Sequence, residues 1–149
     1  MYDYMYDYDV KNISPYNPTK NEINYAHLAF HLALQHGKVK HGKHCAIIYD
    51  ENDNIISAVV NKYNILSCGK QISTHAEVGA ILKAKKLNPN LDLSKCKIMV
   101  IRGNFIGAFT MSKPCINCYN NIISNGIKTI IYSNNSSQNK PEFYRIIVE

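Results

Sequence analysis

Apolar residues recur along this chain in two rhythms. Between about Glu22 and Gln35 the polar positions Asn24, His27, His31 and Gln35 fall three or four apart and leave the rest apolar, the spacing of a helix that packs a wide face inward. Cys45 to Tyr49 and Ile55 to Val60 are apolar runs of strand length. The stretch Asp50-Glu51-Asn52-Asp53-Asn54 between them has turn chemistry, so the pair predicts a hairpin. From His75 to about Leu87 the helical rhythm returns, with Val78, Ile81 and Leu82 on one side. Lys83, Lys85 and Lys86 in its last turns complement the helix dipole, and Asn88-Pro89 ends it. Lys97 to Ile101 reads as a strand and residues 102–113 as a looping or short hairpin connection. Cys115 to Asn125 reads as a helix closed by Gly126, with strands at Thr129 to Tyr132 and Phe143 to Val148.

Residues 1–20 break this pattern. They alternate Tyr, Asp, Asn and Pro and lack the spaced aliphatic residues needed to bury a face, which predicts a flexible arm ahead of one domain over residues 21–149. The element order predicts an α/β fold, a three-layer sandwich in which helices flank a mixed five-stranded sheet. With 149 residues and 46% hydrophobic content the chain can bury a single core. It contains no run of about 18 or more apolar residues and begins with neither a basic nor an apolar leader, so a soluble cytoplasmic protein without a membrane partner is expected. The net charge of +6 would attract polyanions, but no dense basic block stands out and the lysines read first as solvated surface.

Chemistry enters with the cysteines. Five of them, Cys45, Cys68, Cys96, Cys115 and Cys118, make an odd set that suits a disulfide framework poorly. Cys45 and Cys96 sit beside or within apolar runs and read as small buried hydrophobes. Cys115 and Cys118 stand three apart at a predicted helix start, where two thiolates can converge on one ion and the helix terminus favours their ionised form. Pro114 suits the first turn of that helix. With His75 the ligand count reaches three, the number typical of a catalytic zinc that keeps one position for water. Such a zinc lowers the pKa of water from about 16 to about 7, and Glu77, two residues beyond the histidine, is placed to take the water proton.

His75-Ala76-Glu77 followed by Pro114-Cys115-Ile116-Asn117-Cys118 is the His-x-Glu and Pro-Cys-x-x-Cys signature of zinc nucleobase deaminases. The sequence resembles the cytidine and deoxycytidylate deaminase superfamily over roughly residues 21–133. The resemblance implies hydrolysis at the carbon that bears the exocyclic amine, with Glu77 protonating a ring nitrogen and then the departing ammonia. It also implies Zn2+ as cofactor, Asn61 on a ribose hydroxyl, the Ala76 backbone against the base, and a homo-oligomer. Departures narrow the substrate. Lys113 precedes Pro114 where tRNA adenosine deaminases carry Glu, and Tyr119-Asn120 follows Cys118 where they favour small residues. Residues Ile122 to Tyr132 look like the deoxycytidylate deaminases, which have Asn at the position of Gly79, whereas the short tail after Ser133 is similar to the free-nucleoside cytidine deaminases. A cytosine-type base in a nucleoside or nucleotide is therefore the expected substrate, with tRNA or single-stranded DNA as the alternative.

Plainer readings stand beside these. Thr74-x-x-Glu77 is also a capping box, which needs no catalysis. Cys68 with His75, Cys115 and Cys118 would make a closed structural zinc site and hence a binding module without turnover, although structural sites favour two close ligand pairs. His27 and His31, spaced i, i+4, share a face with Asn24 and Gln35 and read as a solvated stripe. His36, His41 and His44 sit in or beside a basic loop, where ordinary exposure competes with contact to a substrate phosphate.

Overall fold

A computed structural model describes residues 12–36, 43–104, 107–135 and 141–148. The elements run β1 (Ile13–Tyr16), α1 (Lys20–His36), β2 (Lys43–Asp50), β3 (Ile55–Val60), β4 (Lys62–Ile65), β5 (Gln71–Thr74), α2 (Ala76–Leu87), β6 (Cys96–Gly103), β7 (Phe109–Thr110), α3 (Ile116–Ser124), β8 (Thr129–Asn134) and β9 (Glu142–Ile147). The main sheet has the order β1-β9-β8-β6-β2-β3, with β7 added to β6; β4 and β5 form a separate ribbon. Only β6 and β8 run parallel among the described pairs.

The period-2 alternation of β-strands sorts the core into two layers. Ala46, Ile48, Ile98, Val100, Ile130, Tyr132 and Ile146 face α2 and α3, where they meet Ala76, Ala80, Ile81, Ala84 and Ile122. Cys45, Ile47, Tyr49, Met99, Ile101, Ile131 and Phe143 face α1, where Ala26, Ala29 and Ala33 come down on them. Small residues set the spacing. A Cβ on Gly79 would lie 2.8 Å from Val59 Cγ1, and one on Gly103 would lie 2.6 Å from the Phe30 ring, so both glycines permit close helix–sheet approach. Gly126, at φ 93, closes α3 in the left-handed conformation that glycine adopts without strain.

The three layers match the expected sandwich, but the main sheet has seven strands where five were expected. The short β7 and the edge strand β1 make the difference. β1 recruits four residues that composition assigned to the arm, and its Pro15 fits an edge strand, where the missing N–H costs nothing. Residues 1–11 and the loop histidine His41 lie outside the described residues. The β4–β5 ribbon was also unforeseen: its strands are four residues each and largely polar, turning at Gly69 with φ 83.

Two helix starts differ from expectation. Thr74 belongs to β5, and the N-cap of α2 is His75, which makes no side-chain capping bond, so no capping box forms there. Pro114 lies just outside α3, whose N-cap is Cys115. The reciprocal cap occurs instead at α1: Glu22 N–H donates to Thr19 Oγ1 at 3.2 Å, and Thr19 N–H donates to Glu22 Oε1 at 3.0 Å. Glu22 is 1% exposed and its carboxylate also accepts the Tyr16 and Tyr49 hydroxyls, each at 2.5 Å. One buried acid thereby joins β1, α1 and β2.

Candidate metal centre and active site

Both N-caps supply ligands. His75 ends the β4–β5 ribbon in extended conformation (φ −66, ψ 149) before α2 begins, and Cys115 does the same for α3 (φ −66, ψ 164). Neither makes a side-chain capping bond. First-turn N–H groups beside the site are already turned on acidic groups, the Cys118 N–H on the Cys115 thiol and the Glu77 N–H on its own carboxyl. Such donors favour negative charge, here on sulfur and carboxylate. Cys118 follows one turn into α3. The His75, Cys115 and Cys118 ligand atoms lie within 4.8 Å of one another. His75 Nδ1 stands 3.1 Å from Cys118 Sγ and 3.7 Å from Cys115 Sγ. Tetrahedral bonds of about 2.0 Å to nitrogen and 2.3 Å to sulfur impose a nitrogen–sulfur separation of ~3.5 Å. One imidazole and two thiols at these spacings fit zinc.

The electrostatics are those of a preformed cluster. A hydrogen bond from the Cys118 thiol, opposed by burial and helped by His75, draws the Cys115 thiol down to about 4. Cys118, as donor and more deeply buried, is pushed up. The Cys115 contact raises His75 against the opposing effect of burial, and the nearby Glu77 charge adds to the rise. Glu77 is 5% exposed, and burial holds its carboxyl above the usual carboxylate range despite its own backbone N–H and the His75 charge. A buried carboxyl of raised affinity for protons beside a metal cluster is equipped to carry a proton.

A cavity of about 370 Å³ opens over the cluster, lined by Ser73, Thr74, Val78 and Asn117 together with His75, Cys115 and Cys118. Its size is that of a small-molecule site. A larger depression of about 500 Å³ lies between the β1–α1 connection and the start of β9, but it holds none of the three metal-ligating residues found among the described residues. The chemistry therefore marks the smaller cavity.

His75, Cys115 and Cys118 come together as expected, and Glu77 is buried in the first turn of α2. Cys68 is exposed and outside the three-residue cluster, which leaves the closed site of four protein ligands without support. Cys45 and Cys96 are buried, and His27 and His31 are exposed. Ala76 is buried at the start of α2. Asn61 follows β3, where its Oδ1 accepts the His44 N–H at 3.0 Å; it does not line the cavity. The sequence assigned Ser73, Val78 and Asn117 no place at the site, although all three line the cavity. Val78 follows His75 by three positions, the spacing of one helical face, and was findable on that ground; Asn117, two positions after Cys115 and one before Cys118, shares a face with neither by spacing.

The family model for the cytidine and deoxycytidylate deaminase zinc-binding region matches residues 19–134. No curated protein matches the sequence. Among solved structures, the chain is similar to the dCMP deaminase from the cyanophage S-TIM5 in complex with dCMP and dUMP, with 20% identity and a TM-score of 0.58 over 78% of this chain and 83% of that one. It is also similar to the cytidine deaminase from Burkholderia pseudomallei, with 18% identity and a TM-score of 0.52 over 78% of this chain and 89% of that one. At such identities the structural likeness speaks for the fold, and the family assignment rests on the sequence match. No described helix is long and apolar enough to cross a membrane. The matched region takes in all three cluster residues and Glu77, and on that ground the chain belongs to the cytidine and deoxycytidylate deaminase family of zinc-dependent deaminases.

Proposed function

We propose that this protein is a CMP/dCMP-type deaminase that replaces the exocyclic amine of cytosine with oxygen in a nucleoside or nucleotide, consuming water and releasing ammonia. The observation that carries the reading is the convergence of one imidazole nitrogen and two sulfurs within 4.8 Å beside a cavity of about 370 Å³. His75, Cys115 and Cys118 would hold the zinc, which when bound supplies a Lewis acid that makes water nucleophilic near neutral pH. Glu77 accepts one proton as the water oxygen bonds to C4 and passes it to ring N3. It then takes the second proton from the hydroxyl now on C4 and delivers it to the departing nitrogen as the C4–N bond breaks and the C4 carbonyl forms. Its burial keeps bulk solvent from competing for these protons. The Ala76 backbone and Asn61 are the proposed contacts to base and ribose, and the His44 N–H steadies the Asn61 amide.

The reading is tested on zinc-loaded protein with cytidine, deoxycytidine, their monophosphates, cytosine, and RNA and DNA oligomers, scored by ammonia release. Turnover should occur with one or more of the nucleosides or monophosphates. Glu77→Gln should keep its zinc and lose about a hundredfold to ten-thousandfold in rate. Turnover confined to oligomers, or a silent panel, overturns the proposal. A homo-oligomer, which the family resemblance implies, belongs to the same reading. Light scattering showing a monomer would remove it.

A further inference from the structure

The segment that delivers Cys115 is stitched into a split in the main sheet. The β6–β8 register runs only as far as Val100 opposite Tyr132. Two residues on, Arg102 and Gly103 pair with Thr110 and Phe109 of β7, while His44 and Lys43 of β2 occupy their other edge. A strand has two edges, so β7 takes the edge that β8 has left. Ser112 sits at this junction, three residues before Cys115, and is 2% exposed.

Its hydroxyl stands in for a ladder bond. Ser112 Oγ accepts the Ser133 N–H at 2.8 Å and donates to the Val100 carbonyl at 2.6 Å, bridging groups on two strands that no longer meet directly. Ser133, fully buried, completes the ring: its Oγ donates to the Thr110 carbonyl at 2.8 Å and accepts the Arg102 N–H at 3.3 Å. The two hydroxyl oxygens are 2.8 Å apart, and the Ser112 N–H donates to the Ser133 carbonyl at 2.9 Å. The two hydroxyl protons are shared among the Val100, Ser133 and Thr110 carbonyls and the facing hydroxyl, and the Ser112 N–H and Ser133 N–H bonds tie Ser112 to β8 in every such arrangement. With Ser112 tied to β8, only Lys113 and Pro114 separate the sheet from the first thiol ligand.

We infer that Ser112 and Ser133 are positioning residues of the metal centre, setting where Cys115 stands relative to His75. The inference rests on the cluster being the zinc site but is independent of the substrate, because its readout is the metal. Zinc alone is the probe, with affinity measured by chelator competition on the holoprotein. Ser112→Ala should weaken zinc about tenfold, the low end of what supporting groups around a metal contribute. It should also alter the thiolate charge-transfer band of the cobalt-substituted protein. Ile47→Val, a core substitution on the opposite face of the sheet, should lower the melting temperature while leaving both readouts unchanged. Ser133→Ala carries the same prediction should Ser112→Ala not fold, and the double variant should weaken zinc no further than the worse single one, because both break one ring. Zinc affinity within twofold of wild type in the serine variants, or a loss equal to that of Ile47→Val, overturns the inference.

Discussion

Glu22→Gln probes the buried acid that ties the first strand to the body of the fold. Three donors reach this carboxylate: the Thr19 N–H and the Tyr16 and Tyr49 hydroxyls. Hydrogen bonds to a charged group contribute about 1.5–3 kcal/mol each where water cannot replace them. Tyr49 is fully buried, whereas Tyr16 is half-buried and Thr19 exposed. The full value therefore applies to one bond and a fraction of it to the other two. Glutamine keeps an acceptor but loses the charge, and the expected cost is about 2–3 kcal/mol at pH 7. At 2–4 °C per kcal/mol for a chain near this length, the melting temperature should fall by about 4–12 °C. Burial pushes the Glu22 carboxyl up, but the Thr19, Tyr16 and Tyr49 donors outweigh it, with help from the Lys97 charge, and hold it below its usual range. A depressed carboxyl contributes stability that is complete above the unfolded value of about 4.3 and is lost as pH falls through the folded one. Urea unfolding of both proteins at pH 7, 5 and 3.5 measures this directly, and zinc, common to both, cancels from the difference. The gap should hold from pH 7 to 5 and narrow at 3.5. A gap below about 0.5 kcal/mol at pH 7, or one that widens in acid, refutes the reasoning.

Two further substitutions separate packing from chemistry. Gly79→Ala should cost about 1–2 kcal/mol in the wild-type background, because the new Cβ meets Val59 Cγ1 at 2.8 Å and a β-branched neighbour yields little. In a Val59→Ala background the same change should stabilise by about 0.5–1 kcal/mol through helix propensity, and paired urea curves showing simple additivity would sink the steric account. Cys68→Ser should leave zinc content and activity unchanged, since the thiol is exposed and apart from the cluster; loss of metal on elemental analysis would restore the four-ligand alternative.

The metal ligands were legible because each is local to a helix start, where a few adjacent residues carry the whole signal. His75 and the Cys115–Cys118 pair are forty residues apart, yet each motif could be recognised without knowing how the chain closes. Strands of continuous apolar character, such as Ile55–Val60, were equally plain. What stayed hidden depends on long-range partners. β1 has two aliphatic or aromatic positions flanking Ser14-Pro15 and becomes a strand only because β9 offers an edge. Thr19-x-x-Glu22 and Thr74-x-x-Glu77 are alike as text, but the first forms a capping box, while the second breaks across a strand end and leaves its acid beside the His75, Cys115 and Cys118 side chains. The role of Ser112 was likewise unreadable, since its partners lie on strands that begin to diverge just there.

The central claim is a zinc bound by one imidazole and two thiolates with a fourth position left for water. Zinc K-edge X-ray absorption on the purified protein tests it without reference to any substrate. The expected spectrum has two sulfurs at about 2.3 Å and two nitrogen or oxygen neighbours at about 2.0 Å, with one metal per chain. Three or four sulfurs around the metal, or a chain that does not retain zinc, would contradict the account.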